Sequence, residues 1–235
     1  MAKKQFDQYM LTEHVLEVRY AASGSFLNVH GYIADYIRGA GLFPHWKIDA
    51  NIVHFFDFPL EVQKLGAFVA YNRAGYIVKN PDTQNFFQDK AISFWDTLLK
   101  NKSFGLPEPE RFGARTKIFI VSDKPFEEVN QSIYEQFFTE TARKTLGGTE
   151  TDLSCVIKLE HDLFTLNVMI GPLHKGEAEK FLSFKSDRFA STGLILDIDC
   201  FTRSQLKHNA VPQLLKEAMV LTWDKADHIA KVVGL

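Results

Sequence analysis

NKSFGLPEPERFG, residues 101–113, joins polar side chains and glycine to Pro107 and Pro109. Proline lacks the N–H that a helix or central strand would use, so the stretch reads as a linker. The same order of elements is expected on either side of it. Downstream, ARTKIFIVS (114–122) reads as a strand. Pro125 opens a helix over FEEVNQSIYEQFFTETARK with Val129, Ile133 and Phe137 on one side and Gly147-Gly148 behind it. CVIKLEH (155–161) and LFTLNVMIG (163–171) form a hairpin around His161-Asp162, GLILDIDCF (193–201) is a third strand, and Pro212 opens the last helix.

Upstream, HVLEVRYA (14–21) alternates Leu16, Val18 and Tyr20 with Glu17 and Arg19, the period-two pattern of a half-buried strand. A helix capped by Ser25 carries Phe26, Val29, Ile33 and Ile37 and stops at Gly39 and Gly41. KIDANIVHFFDF (47–58), LGAFVAY (65–71) and GYIVKN (75–80) read as three antiparallel strands. Asp82 is placed to cap a helix over 83–100 with Phe87, Ala91, Phe94, Trp95 and Leu98 on one face. The expected fold is α+β: two tandem β-α-β-β-β-α units, residues 1–104 and 105–235, each with an antiparallel sheet packed by helices, forming two domains or one joint domain. No residue-level likeness between the halves stands out.

Hydrophobic residues make up 46% of the chain and charged residues 24%, within the range of folded domains, so disorder is excluded. The 21 phenylalanines imply either thick, well-filled cores, the simpler reading, or an apolar cavity, and composition does not choose between them. Net charge is −2 with no basic cluster, which argues against a nucleic-acid partner. No window approaches the ~18 apolar residues of a membrane span, and MAKKQFDQYM lacks the apolar stretch of a leader, so a soluble cytoplasmic chain without a membrane partner is expected. Cys155 and Cys200 lie in apolar runs and read as small core residues.

Two strands carry like-charged pairs. Arg115 and Lys117 share one face of the first, and Asp197 and Asp199 share one face of the other. Carboxylates at i and i+2 stand roughly 6–7 Å apart at Cα, a spacing that suits a metal or a coupled acid–base pair, with Glu160 available as a third ligand. A nuclease reading gives Asp197 and Asp199 to the metal and Lys117 to the transition-state charge. The simpler reading sets the basic pair across from the acidic pair as cross-strand ion pairs on the open face.

His45 and Trp46, after the first helix, are candidate binding residues for an aromatic pocket. The histidines show no i, i+4 zinc arrangement, there is no G-x-S-x-G elbow, and no phosphate or dinucleotide loop occurs. No cofactor is expected. The last helix carries Leu214, Leu215, Ala218, Met219, Leu221, Trp223 and Ile229, more apolar positions than one narrow stripe needs, and so offers either a partner surface or a two-sided packing element.

Arg111-Phe-Gly-Ala-Arg115-Thr-Lys-Ile-Phe-Ile120 resembles the R-x-G-x-R-Y-x-N-x-I signature of a sporadically distributed family of uncharacterised prokaryotic proteins, with Thr116 where that family usually has Tyr and Lys117-Ile118 where it has a residue and Asn. VLEVRY, SFWDTLL and LDID fall in the order the family shows. The resemblance implies no activity. It suggests an accessory or defence role, and it directs attention to Arg111, Arg115 and Lys117 as binding residues. The leading expectation is a non-enzymatic protein-interaction or assembly module, its partner another protein or a copy of itself. A metal-dependent hydrolase and a small-molecule binder are the alternatives.

Overall fold

The computed structural model describes residues 10–58, 64–204 and 206–235. Nine antiparallel strands form one sheet: β1 (Met10–Tyr20), β2 (His45–Asp49), β3 (Ile52–Phe56), β4 (Leu65–Ala70), β5 (Arg73–Lys79), β6 (Pro109–Ser122), β7 (Cys155–His161), β8 (Phe164–His174) and β9 (Thr192–Thr202). Their spatial order is β2-β3-β4-β5-β1-β6-β9-β8-β7. The helices are α1 (Phe26–Gly39), α2 (Phe86–Leu99), α3 (Phe126–Phe137), α4 (Glu140–Leu146), α5 (Lys175–Phe181) and α6 (Val211–Val233), the last preceded by a short 3-10 turn over His208–Ala210.

The chain is therefore α+β with an antiparallel sheet, as expected. The segment 47–58 is two strands rather than one, because Asp49, Ala50 and Asn51 reverse the chain and pair Ile48 with Val53; Asp and Asn are turn formers through their side-chain bonds to nearby backbone. Four strands thus stand between α1 and α2. Asn85, not Asp82, precedes the first residue of α2. Pro109 already belongs to β6, so the strand begins inside the segment read as a linker, and the sheet runs unbroken through the β1–β6 seam.

Strand alternation sends even-numbered residues of β1, β6 and β9 to one face. There Leu16, Val18, Ala114, Ile118, Leu196 and Ile198 pack against the buried sides of α1, α2, α3 and α6 in the main core. α6 crosses β6 and β9 and touches α2 and α3. Leu214, Leu215, Ala218 and Met219 are buried, and Leu221, Trp223 and Ile229 are partly so, packed on that core. The surplus apolar positions of this helix thus serve two-sided packing. Among the described residues the opposite face is covered at one end, where Ala178 of α5, Leu182 and Phe189 pack over Leu11, Phe119 and Ile195, and no described helix covers the remainder. Among the described residues no helix is long and apolar enough to cross a membrane.

Candidate functional site

The open face is built outward from the central seam. In register, Glu13 of β1 faces Lys117 of β6, Val15 faces Arg115, Glu17 faces Gly113 and Arg19 faces Arg111. On the far side of β6, Lys117 faces Asp197 and Arg115 faces Asp199 on β9. All of these side chains rise from the same face. With Val15 and Gly113 as floor, Glu13, Glu17, Arg19, Arg111, Arg115, Lys117 and Asp199 line a trough of about 330 Å³, and Asp197 lies outside its lining.

The arginine–aspartate pairs between β6 and β9 run diagonally rather than straight across the strands, whereas Lys117 pairs with Glu13 directly opposite it on β1. Arg115 grips Asp197 with both Nε, at 2.7 Å from Oδ1, and Nη2. Arg111 reaches along the strand to Asp199, its Nη2 donating to Oδ2 at 3.3 Å, with its guanidinium 4.7 Å from the centre of the Phe201 ring. To do so it lies over Gly113, where a Cβ would stand 2.8 Å from Nη1. Lys117 turns away from both aspartates: its Nζ donates to Glu13 Oε1 at 2.7 Å and to the Phe181 carbonyl at 2.9 Å. Glu17 is shared by Arg19 at 2.6 Å, Arg73 at 3.5 Å and Arg111 at 3.7 Å.

These contacts set the protonation preferences. The hydrogen bonds to Asp197 hold the Arg115 guanidinium above its usual range. Burial pushes the Asp199 carboxyl up, and Arg111 and Arg115 pull it back. Both aspartates are therefore occupied by arginine.

Glu160 stands on β7, separated from β9 by β8; it accepts from Thr165 Oγ1 at 2.7 Å and lies 3.5 Å from Lys158. Among the described residues no group of three or more His, Cys, Asp or Glu is placed to hold a metal ion. His45 and Trp46, adjacent on β2, point to opposite faces: His45 stacks on Phe56 with ring centres 5.7 Å apart, while Trp46 lies opposite Phe55 on the helix side. The seam partners Glu13, Glu17, Arg19 and Arg73 were not among the sequence candidates. Their charges alternate with apolar residues in β1 and β5, but nothing local says which strand lies beside β6.

A second polar feature lies beneath the helices. His14, Thr12 and Trp223 line a pocket of about 170 Å³ with Asn80, Asp82 and Arg188. His14 is buried, stacks on Phe87 with ring centres 5.0 Å apart, and its Nδ1 sits 3.0 Å from Thr116 Oγ1. Burial lowers its pKa to about 3, so the imidazole is neutral at physiological pH.

No family model matches the chain, and no curated protein matches it either.

Proposed function

We propose that this protein is a non-enzymatic interaction and assembly module that recruits its partner, a second copy of itself or another protein, by strand addition at β7. The observation that carries this reading is the outer edge of the sheet. β7 is seven residues long and ends the strand order, so its outward backbone groups have no strand beside them among the described residues. Val156 is 70% exposed on the open face and Leu159 39% exposed on the other, and Leu163 in the adjoining turn is exposed too. An apolar edge of this kind is a template for a further strand. The other edge, β2, is shorter; each edge carries an ion pair along its own strand, Lys47–Asp49 at 3.0 Å and Lys158–Glu160 at 3.5 Å, so it is length and the exposed Val156 that set β7 apart.

The occupied carboxylates support the same reading. A metal-dependent hydrolase would have to pull Asp197 and Asp199 away from Arg115 and Arg111 before either could bind an ion. Calorimetric titration with Mg²⁺ and Mn²⁺ should therefore show no binding, and saturable heat lost in Asp197→Ala would restore the hydrolase.

We also infer that the halves are copies of one unit. The helix that follows each first strand supports it: α1 begins at Phe26 after β1 ends at Tyr20, and α3 begins at Phe126 after β6 ends at Ser122. The inward positions match one hundred residues apart, Val29 with Val129, Ile33 with Ile133 and Ile37 with Phe137. The first strands of the two halves, β1 and β6, meet at the centre. The resemblance to the R-x-G-x-R signature belongs to the same proposal, since Arg111, Gly113 and Arg115 are the residues that shape the trough.

Light scattering over a range of concentrations tests assembly. The wild type should exceed the mass of one chain, and Val156→Lys with Leu159→Glu should return it to one chain at unchanged thermal stability. A wild type that stays at the mass of one chain at its highest soluble concentration, with no partner strand protecting β7 amides from exchange in cell extract, refutes the reading.

A further inference from the structure

We infer that the trough at the β1–β6 seam is a binding site for a small organic oxyanion, a phosphate ester or a carboxylate, received by the guanidinium groups of Arg19 and Arg115, with Arg73 beside the site on Glu17. The formal charges around the seam nearly cancel, but they are layered by depth. The carboxylate side chains of Glu13, Asp197, Glu17 and Asp199 retain between 7% and 28% of their exposure. Those of Arg73, Arg115 and Arg19 retain between 46% and 51%. Arg111 and Lys117, at 14% and 17%, lie as deep as the acids, so the most exposed charges of the seam are the heads of Arg19, Arg73 and Arg115. An approaching ion therefore meets positive charge first, and the low-dielectric floor of Val15 and Gly113 focuses that field.

The surplus is largest at one end. Glu17 alone answers Arg19, Arg73 and Arg111, the last of which is shared with Asp199. Guanidinium is the side chain whose planar fork matches phosphate and carboxylate oxygens two at a time. Arg115 keeps its Nε and Nη2 edge on Asp197, which fixes the plane of the group and leaves the rest of the head toward solvent. Arg111 is held flat over Gly113 and against Phe201, so it walls the trough without filling it. A volume of about 330 Å³ admits a small organic anion. This site is independent of the β7 edge.

Calorimetric titration at constant ionic strength tests it, with inorganic phosphate and succinate as probes and chloride as the balancing salt. Saturable binding of at least one probe is expected, and the arm that binds names the ligand class. Arg19→Ala should weaken it by about fivefold, the worth of one exposed charge contact, and Arg73→Ala, which removes a guanidinium beside the trough, should weaken it by less. Either variant leaves Glu17 two other arginines, so thermal stability should hold. Arg38→Ala, which removes an exposed arginine paired with Asp35 on α1, should bind like wild type. Absence of saturable heat with both probes overturns the inference, as does an Arg38→Ala loss equal to that of Arg19→Ala.

Discussion

Breaking the Glu13–Lys117 pair tests whether the seam is a closed charge network. Lys117 Nζ lies 2.7 Å from Glu13 Oε1, and the two side chains are 17% and 7% exposed. α5 seals this end of the trough, with the Phe181 ring 5.3 Å from the ammonium. Removing one partner of a fully buried pair costs about 3–5 kcal/mol, because the other charge stays behind unanswered, while replacing both by apolar groups is often neutral. The residual exposure here, and the Phe181 carbonyl that still accepts from Lys117, reduce that cost. Lys117→Met and Glu13→Leu are each expected to destabilise by about 2–3 kcal/mol, or roughly 4–10 °C in Tm for a chain of this size. The double variant should lose no more than ~2 kcal/mol, giving a coupling of at least ~2 kcal/mol in magnitude. Urea unfolding of the four proteins at neutral pH measures all three quantities. Singles within ~0.5 kcal/mol of wild type, or a double equal to their sum, would refute the reasoning.

Acid should act through His14. Its folded pKa of about 3 lies below the unfolded value of 6.5, so its contribution is whole above pH 6.5 and is lost as pH falls toward 3. At pH 5 the loss is about 2 kcal/mol, and His14→Gln should remove that part of the difference between unfolding curves at pH 7 and pH 5. Gly193→Ala should destabilise by about 1–3 kcal/mol in the same assay, because its Cβ would stand 2.3 Å from the Ile120 carbonyl oxygen and 2.5 Å from Phe119 Cζ. Thiol titration should find Cys155 reactive in the native protein. Cys200, buried and with its thiol pushed up to about 12, should react only after denaturant is added.

The period of two in β1, β6 and β9 was legible from the chain alone, and it correctly put Arg115 with Lys117 and Asp197 with Asp199 on common faces. The same period already separates His45 from Trp46, which a pocket containing both had ignored. The turn at residues 49–51 was hidden because apolar residues continue on both sides of it. The capping position of α2 was misplaced because several polar residues precede that helix and only the local backbone selects among them.

Side-chain alternation, helix periodicity and chain reversal at glycine and proline are properties of a few consecutive residues, and these determined the α+β class and the order of most elements. Which strand lies beside which is decided by pairing across a hundred residues, where backbone hydrogen bonds are alike in every register and only the whole core chooses. Tertiary structure alone therefore set β1 next to β6, gave Lys117 to Glu13 instead of Asp197, and turned Arg111 over Gly113 to Asp199. It also buried the apolar sides of α6 between the sheet and its neighbouring helices. The charged residues were visible in the sequence, but the depth at which each sits, Arg111 low with the acids and Arg19, Arg73 and Arg115 half exposed, came only with the packed sheet.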